Sequence, residues 1–246
     1  MYLDSVDLAN FYNTGLGHVT RRLIRRKIRS IWPNTSGLTI IGLGYATPFL
    51  RPFLMEADNV FALMPAQQGG TYWPVDGLNR VVISEDDELP FEDSSIDRIV
   101  LVHCMECTEH LRPMLKEVWR ILTGDGRLIV VVPNRSGVWA RTERTPFGFG
   151  QPYSSSQLSR LLRDGMFIPD KMERALFIPP SARRVVLRSA SGIEDLGSRW
   201  LKHLGGVLIV EAAKQIYAAS QIKKARSKAN RMIPVSSVRF MNLEKY

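Results

Sequence analysis

Short apolar runs separated by stretches of helical spacing constrain this 246-residue chain more than any single motif does. The runs fall at 38–42, 59–63, 81–83, 97–103 and 127–132, each rich in Val, Ile or Leu. Between them, 48–57 and 108–122 carry helical periodicity; Leu111, Leu115, Val118 and Leu122 recur on one side before Gly124 stops the pattern. Thr47-Pro48 predicts a helix start, with a hydroxyl cap followed by the fixed φ of proline. Pro113 falls near the first turn of its helix, where a missing N–H costs little. Strands alternating with helices require parallel pairing through right-handed crossovers. A run as uniformly apolar as "RLIVVV" (127–132) suits a sheet covered on both faces. The stretch 65–80 is broken by Gly and Pro, so a helix there is short or absent.

Past Pro133 the pattern loosens. Residues 134–153 form a long polar-aromatic loop, a length uncommon in a loop without a task. A capped helix follows at 154–165, then a strand at 172–180, a helix at 181–203 weakened by Gly192 and Gly197, and a closing strand at 205–215. From about 222 the chain is basic without apolar periodicity, which predicts partial disorder. The expected organisation is a basic helical segment over 1–36, an α/β body over 37–215 and a basic tail over 216–246. No internal repeat is visible.

The net charge of +9 is unevenly spread. Residues 18–33 hold six Lys/Arg and no acid, and 214–246 hold eight against the single acid Glu244. The remainder is mildly acidic. This excludes a binder of nucleic acid over its whole surface and points to terminal arms that meet something anionic, RNA or a membrane surface. The helix at 18–32 also has a simpler reading, in which Leu23, Ile24, Ile28 and Ile31 pack on the body and the arginines face solvent. No apolar run approaches the roughly 18–20 residues that cross a bilayer, and the opening "MYLDSVDLANFY" has no signal pattern. Two cysteines are too few for a disulfide scaffold. The expected location is the cytoplasm.

Gly42-Leu43-Gly44-Tyr45-Ala46 closes the first apolar run. Glycines at a strand-to-helix turn admit a ligand to the backbone, but they also serve a tight turn that holds nothing. Thr47 departs from the dinucleotide pattern, and the Gly-Lys-Ser/Thr of a phosphate loop is absent. "HCMECTEH" (103–110) offers His103, Cys104, Cys107 and His110 as metal ligands, although they straddle a strand end and a helix start and lack a second ligand pair. No metal is expected. Cys104-x-x-Cys107 could instead be a redox dithiol or two small buried hydrophobes.

"ELPFEDSSIDRIVLVHCMEC" (88–107) and "LKEVWRILTGDGRLIVVVPN" (115–134) resemble the central blocks of class I S-adenosylmethionine-dependent methyltransferases, in particular the small-molecule type 11 domain. Leu89-Pro90-Phe91 leads to Asp97 on a strand, Glu106-Cys107 stands where the family has Glu-His, and Arg120-Ile-Leu-Thr-Gly124-Asp125-Gly126 precedes Pro133-Asn134. The resemblance covers 37–165 well and continues weakly to 212. It implies a Rossmann-like three-layer sandwich with a seven-stranded, mostly parallel sheet and an antiparallel last strand. S-adenosylmethionine would lie across the carboxyl ends of the strands, with Gly42, Gly44, Tyr45 and Ala46 at its ribose and methionine part. The family's two acids are missing, Ile40 and Met64 standing in their places. A thioether cannot accept the ribose hydroxyls as a carboxylate does, so weak binding or a rearranged ribose site is expected, with Gln67 or Gln68 as a partial substitute. Glu85 or Asp86 would accept from the adenine amino group.

His103 is the candidate base or cofactor contact, and it is equally readable as a hydrogen-bonded histidine at a strand end. Trp139, Arg141, Arg144, Phe147, Phe149 and Tyr153 would wall the acceptor side, or simply anchor their loop. The implied activity is methyl transfer to an unidentified acceptor, a small molecule for preference. Two alternatives stay open: a non-catalytic relative kept as a binding or scaffold protein, and an RNA-modifying methyltransferase.

Overall fold

A computed structural model describes residues 2–201 and 203–216. Helices α1 (Ser5–Asn13) and α2 (Gly15–Ile31) precede strand β1 (Thr39–Gly44), the short helix α3 (Thr47–Leu50), β2 (Asn59–Pro65), β3 (Val81–Ser84) and β4 (Ile96–Val102). Then come α4 (Leu111–Ile121), β5 (Leu122–Pro133), α5 (Ser155–Asp164), β6 (Phe167–Ala175), α6 (Arg184–Arg188), α7 (Ala190–Trp200) and β7 (Val207–Lys214). The strands make one seven-stranded sheet in the order β3-β2-β1-β4-β5-β7-β6. β7 runs antiparallel to both neighbours; the other pairs are parallel. This is the expected three-layer architecture, and the strand order reverses between β1 and β4.

Alternation along the strands sorts their side chains into two cores. Ile40, Val60, Ala62, Met64, Val100, Val102, Ile129 and Ile209 face α1, α2 and α3. Ile41, Leu43, Ile99, Leu101, Val130 and Val210 face Met114, Leu115 and Val118 of α4 and Leu158 and Leu162 of α5. Because both faces of the parallel strands are apolar, both must be covered, and α1 and α2 help to cover one of them.

Several elements differ from their expected limits. The helix expected over 48–57 shrinks to α3 and a 3-10 turn at Arg51–Phe53. Pro52 is the cause: it has no N–H for the Pro48 carbonyl, and Arg25 Nε donates to that carbonyl instead. α3 begins at Thr47 itself, after Ala46, with no side-chain cap. The strand expected at 172–180 is β6, set earlier. It ends where Leu176 turns left-handed (φ 64°), and the N–H groups of Leu176 and Phe177 both donate to the buried Glu194 carboxylate. The helix expected over 181–203 is broken at Ser189 into α6 and α7. Gly197 is no weak point: a Cβ there would lie 2.4 Å from the Phe177 side chain, so glycine permits α7 to close on that turn. α5 is capped as expected, by a capping box of Ser154 and Gln157. The basic tail expected from about 222 lies outside the described residues.

No helix joins β3 to β4. Arg120 on α4 holds that crossover, donating to the carbonyls of Leu89 and Phe91 at 2.9 and 2.8 Å and pairing with Asp93 and Glu117. Hydrogen bonding to Glu117 and Asp93 pushes its pKa further up. Arg120→Ala leaves two carbonyls and two carboxylates to water or to nothing. It should lower the unfolding free energy by about 2–3 kcal/mol in a denaturant titration, whereas Arg120→Lys, which cannot fork to four acceptors, should recover less than half of that.

Candidate active site

The β1 turn is closed around protein atoms. A Cβ on Gly42 would stand 2.4 Å from Ala46 Cβ and 2.7 Å from Leu50 Cδ1; one on Gly44 (φ 80°) would stand 2.4 Å from the Val102 carbonyl and 2.8 Å from Cys104 Cβ. Both glycines are therefore required by the close approach of α3 and of the β4 corner. By themselves they do not mark a ligand. Tyr45 N–H donates to the Val102 carbonyl at 2.9 Å, which ties the turn to that corner.

The corner itself is His103, the residue after β4, buried and left-handed at φ 52°. A non-glycine residue holds such a conformation only where its surroundings over-determine it. They do so here. Gln68 Nε2 donates to the His103 carbonyl at 3.2 Å, Tyr12 Oη lies 2.8 Å from Nε2, and Glu106 Oε1 lies 3.3 Å from Nδ1. Phe147 packs on the imidazole at 4.8 Å. Residues from α1, the β2 end, the β4 end and the loop after β5 thus converge on one ring.

Tyr12 covers the carboxyl ends of β1 and β4, stacked on Tyr45 at 5.9 Å and 14°. Tyr2 covers their flank, donating from its hydroxyl to Asp86 at 2.6 Å and lying 3.6 Å from Cys104 Sγ. Burial is the leading cause that pushes both tyrosines' pKa up, so both hydroxyls stay protonated. Of the residues singled out from the sequence, Gly42, Gly44, Tyr45, Ala46, Met64, Asp86 and His103 are all buried, and Tyr45, Asp86 and His103 meet Tyr12 or Tyr2 directly. Glu85 and Gln67 are exposed, whereas Asp86 and Gln68 are buried. Met64 lies in the apolar core beside Ile40.

Three groups that periodicity did not reveal complete the crevice: Tyr2, Tyr12 and Glu106. Glu106 was visible in sequence only as half of a Glu-Cys pair at a helix start. Its side chain is 1% exposed, and neither carboxylate oxygen has a hydrogen-bond partner. The buried Gln68 Oε1 and Ser84 Oγ are in the same position. Buried acceptors left without donors cost about 1–3 kcal/mol each, more when charged. Such groups at the ends of β2, β3 and β4 suit a polar ligand rich in donors.

Strand order, switch point and crevice can now be set beside known proteins. The family described as "Methyltransferase domain" matches residues 64–130. The chain's fold is that of class I S-adenosylmethionine-dependent methyltransferases. Among solved structures, this chain is similar to a chain of the Haloferax volcanii complex between the Trm112 methyltransferase activator and a methyltransferase, with 18% identity over 85% of this chain and 91% of that one and a TM-score of 0.56. It is also similar to S-adenosylmethionine-dependent methyltransferases from Archaeoglobus fulgidus (17% identity, 79% and 94% coverage, TM-score 0.54) and Mesorhizobium loti (14%, 77% and 96%, 0.54). No curated protein matches the chain.

Most of the remaining candidates are structural. Trp139 is buried and donates to the Ile178 carbonyl at 2.7 Å, and Tyr153 donates to the Met105 carbonyl at 3.0 Å. Both anchor the 134–153 loop, whereas Phe147 reaches His103. Arg141, Arg144 and Phe149 are exposed; Arg144 and Phe149 edge a cleft of about 210 Å³ at the seam between α1 and this loop. A wider groove of about 970 Å³ runs between α4 and α5 past Leu115, Trp119 and Leu161, away from His103. Neither is lined by a member of the polar cluster around His103.

Among the described residues no group of three His, Cys, Asp or Glu could hold a metal. Cys104 lies 3.3 Å from Met114 Sδ, and burial pushes its thiol pKa up and that of Cys107 to about 12. A reactive dithiol needs the opposite shift, so these are the buried hydrophobes of the sequence reading. Ellman's reagent at pH 8 should leave both thiols untouched in native protein and titrate two per chain in denaturant; fast reaction of the native protein would contradict this assignment.

Proposed function

We propose that this protein transfers a methyl group from S-adenosylmethionine to a small-molecule acceptor in the crevice bounded by Tyr45, Gln68, Asp86 and His103. Residues 2–13 would serve as a displaceable cover. The observation that carries the reading is the set of unpaired buried acceptors, Gln68 Oε1 and the Glu106 carboxylate, beneath that cover. Gln68 is held by its own amide N–H on His103, which leaves its oxygen facing where a ribose hydroxyl donor is needed. It would thus stand in for the acid missing at Met64. Asp86 already accepts a hydroxyl from Tyr2 and would accept the adenine amino group once Tyr2 leaves. When bound, the cofactor supplies an electrophilic methyl on a sulfonium; the chain's part is to orient an acceptor and exclude water, which gives most of the acceleration in such transfers.

The cover must move for the ligand to enter. Thr14 lies between α1 and α2, the point where the cover would swing. The rival reading, a methyltransferase fold kept for binding other proteins, is favoured by one observation: Tyr2 and Tyr12 already occupy the crevice. RNA modification draws no support from α2, whose Arg26, Lys27 and Arg29 pair with Asp195, Glu173 and Glu56. No described helix is long and apolar enough to cross a membrane. Two buried thiols outside any disulfide accord with a reducing compartment, and we assign the protein to the cytoplasm.

Calorimetric titration with S-adenosylmethionine and S-adenosylhomocysteine tests this reading. Both should bind at one site, and Gln68→Ala should weaken each by roughly tenfold, the loss of about one hydrogen bond. No heat and no thermal shift at millimolar ligand would leave the scaffold reading in its place.

A further inference from the structure

Tyr12 is itself a phenol seated at the catalytic corner. Its ring lies in an aromatic slot, stacked on Tyr45 and meeting Phe49 and Phe11 edge-on at centroid distances of 5.6 and 5.1 Å. Its hydroxyl is 2.8 Å from His103 Nε2. On the far side of the imidazole stands the Glu106 carboxylate, buried and otherwise unpartnered. A carboxylate can only accept, so Oε1 at 3.3 Å favours the tautomer with its proton on Nδ1, which leaves the Nε2 lone pair facing the phenol. In that tautomer Tyr12 donates to His103. The groups facing the imidazole are Tyr12 from α1, Glu106 from its own segment and the uncharged Phe147 ring, while the Gln68 amide from the β2 end holds the His103 carbonyl.

We propose that the slot filled by Tyr12 is the acceptor subsite, and that the acceptor is a hydroxylated aromatic ring whose O–H donates to His103 Nε2. The proposal rests on the methyltransferase reading for its use, though not for its binding test. In the proton step the acceptor's O–H bond breaks, the electron pair stays on oxygen, and the proton passes to Nε2. The imidazolium so formed faces the Glu106 carboxylate, which offsets its charge. His103 is then the catalytic base and Glu106 its positioning residue. Magnitudes select this class. A phenol (pKa about 10) lies within reach of an imidazole (about 6.5), an aliphatic alcohol lies far above it, and a neutral amine brings its own lone pair and needs no base.

Tyr12→Ala opens the slot in the full-length chain, and p-nitrophenol, whose ionised form is yellow, is the probe. It should bind this variant and not the wild type, and toluene should bind more weakly. Bound probe should be ionised in Tyr12→Ala and about tenfold less so, one pKa unit, when Glu106→Gln is added. The sign is decisive. A carboxylate that merely repels a phenolate would, on removal, make the bound probe more ionised, and that result overturns the proposal. His103→Asn should abolish the ionisation while keeping the corner, since Asn tolerates positive φ. Should Tyr12→Ala not fold, NMR of the imidazole nitrogens in the wild type must find His103 protonated at Nδ1; a proton at Nε2 refutes the dyad. A Tyr12→Ala variant that binds S-adenosylhomocysteine but no phenol would sink this inference alone. Failure of the nucleoside to bind the wild type would sink the functional reading instead.

Discussion

A single imidazole buried at the end of β4 is what the N-terminal half of the molecule is arranged around. His103 stands in a left-handed conformation that costs on the order of 1–3 kcal/mol for such a residue, and four separate segments make it pay its way. Gln68 takes its carbonyl, Glu106 faces Nδ1, Tyr12 takes Nε2 and Phe147 covers the ring. Glycine at 44 follows from the same corner, since any side chain there would strike the Val102 carbonyl. If that corner relaxed, the β1 turn, the cover and the loop after β5 would lose their common contact.

The sheet was legible because parallel strands covered on both faces leave near-continuous apolar runs, and all five central strands lie within a few residues of those runs. The β3–β4 crossover was legible through a resemblance rather than through periodicity; its reason is now physical. Leu89-Pro90-Phe91 is held because Arg120, one helix later, needs acceptors for its fork. By contrast, α3 was overestimated because the helical pattern continued past Pro52, whose missing N–H ends the ladder. The boundary of β6 was misplaced because the turn at Leu176 is fixed by Glu194, 18 residues on, which no local pattern reveals.

The site was legible in outline and not in its chemistry. The glycine turn pointed to the right end of the sheet for a reason other than ligand approach. His103 and Asp86 were found by position along the family's blocks. Tyr12, which lies 91 residues from His103, and Glu106, whose environment is set by burial, gave no local signal. The basic helix fits the simpler of its two readings in part: Arg26, Lys27 and Arg29 pair with Asp195, Glu173 and Glu56. Trp32 at its end donates to Glu211, a carboxylate buried between β5 and β6, and Arg29 lies over the Phe53 ring. α2 is thus part of the body, and the crevice's aromatic lining depends on it through Phe11, Tyr12 and Phe49.

All of this turns on whether the polar atoms beneath Tyr12 are there for a nucleoside. A crystal structure grown with S-adenosylhomocysteine asks that directly. The account predicts the adenosyl group between the β1 turn and Gln68, its ribose hydroxyls on the Gln68 amide oxygen, and Tyr2 withdrawn from Asp86. Crystals grown at saturating ligand in which Tyr2 and Tyr12 keep their places and no adenosyl group lies in the crevice would contradict it.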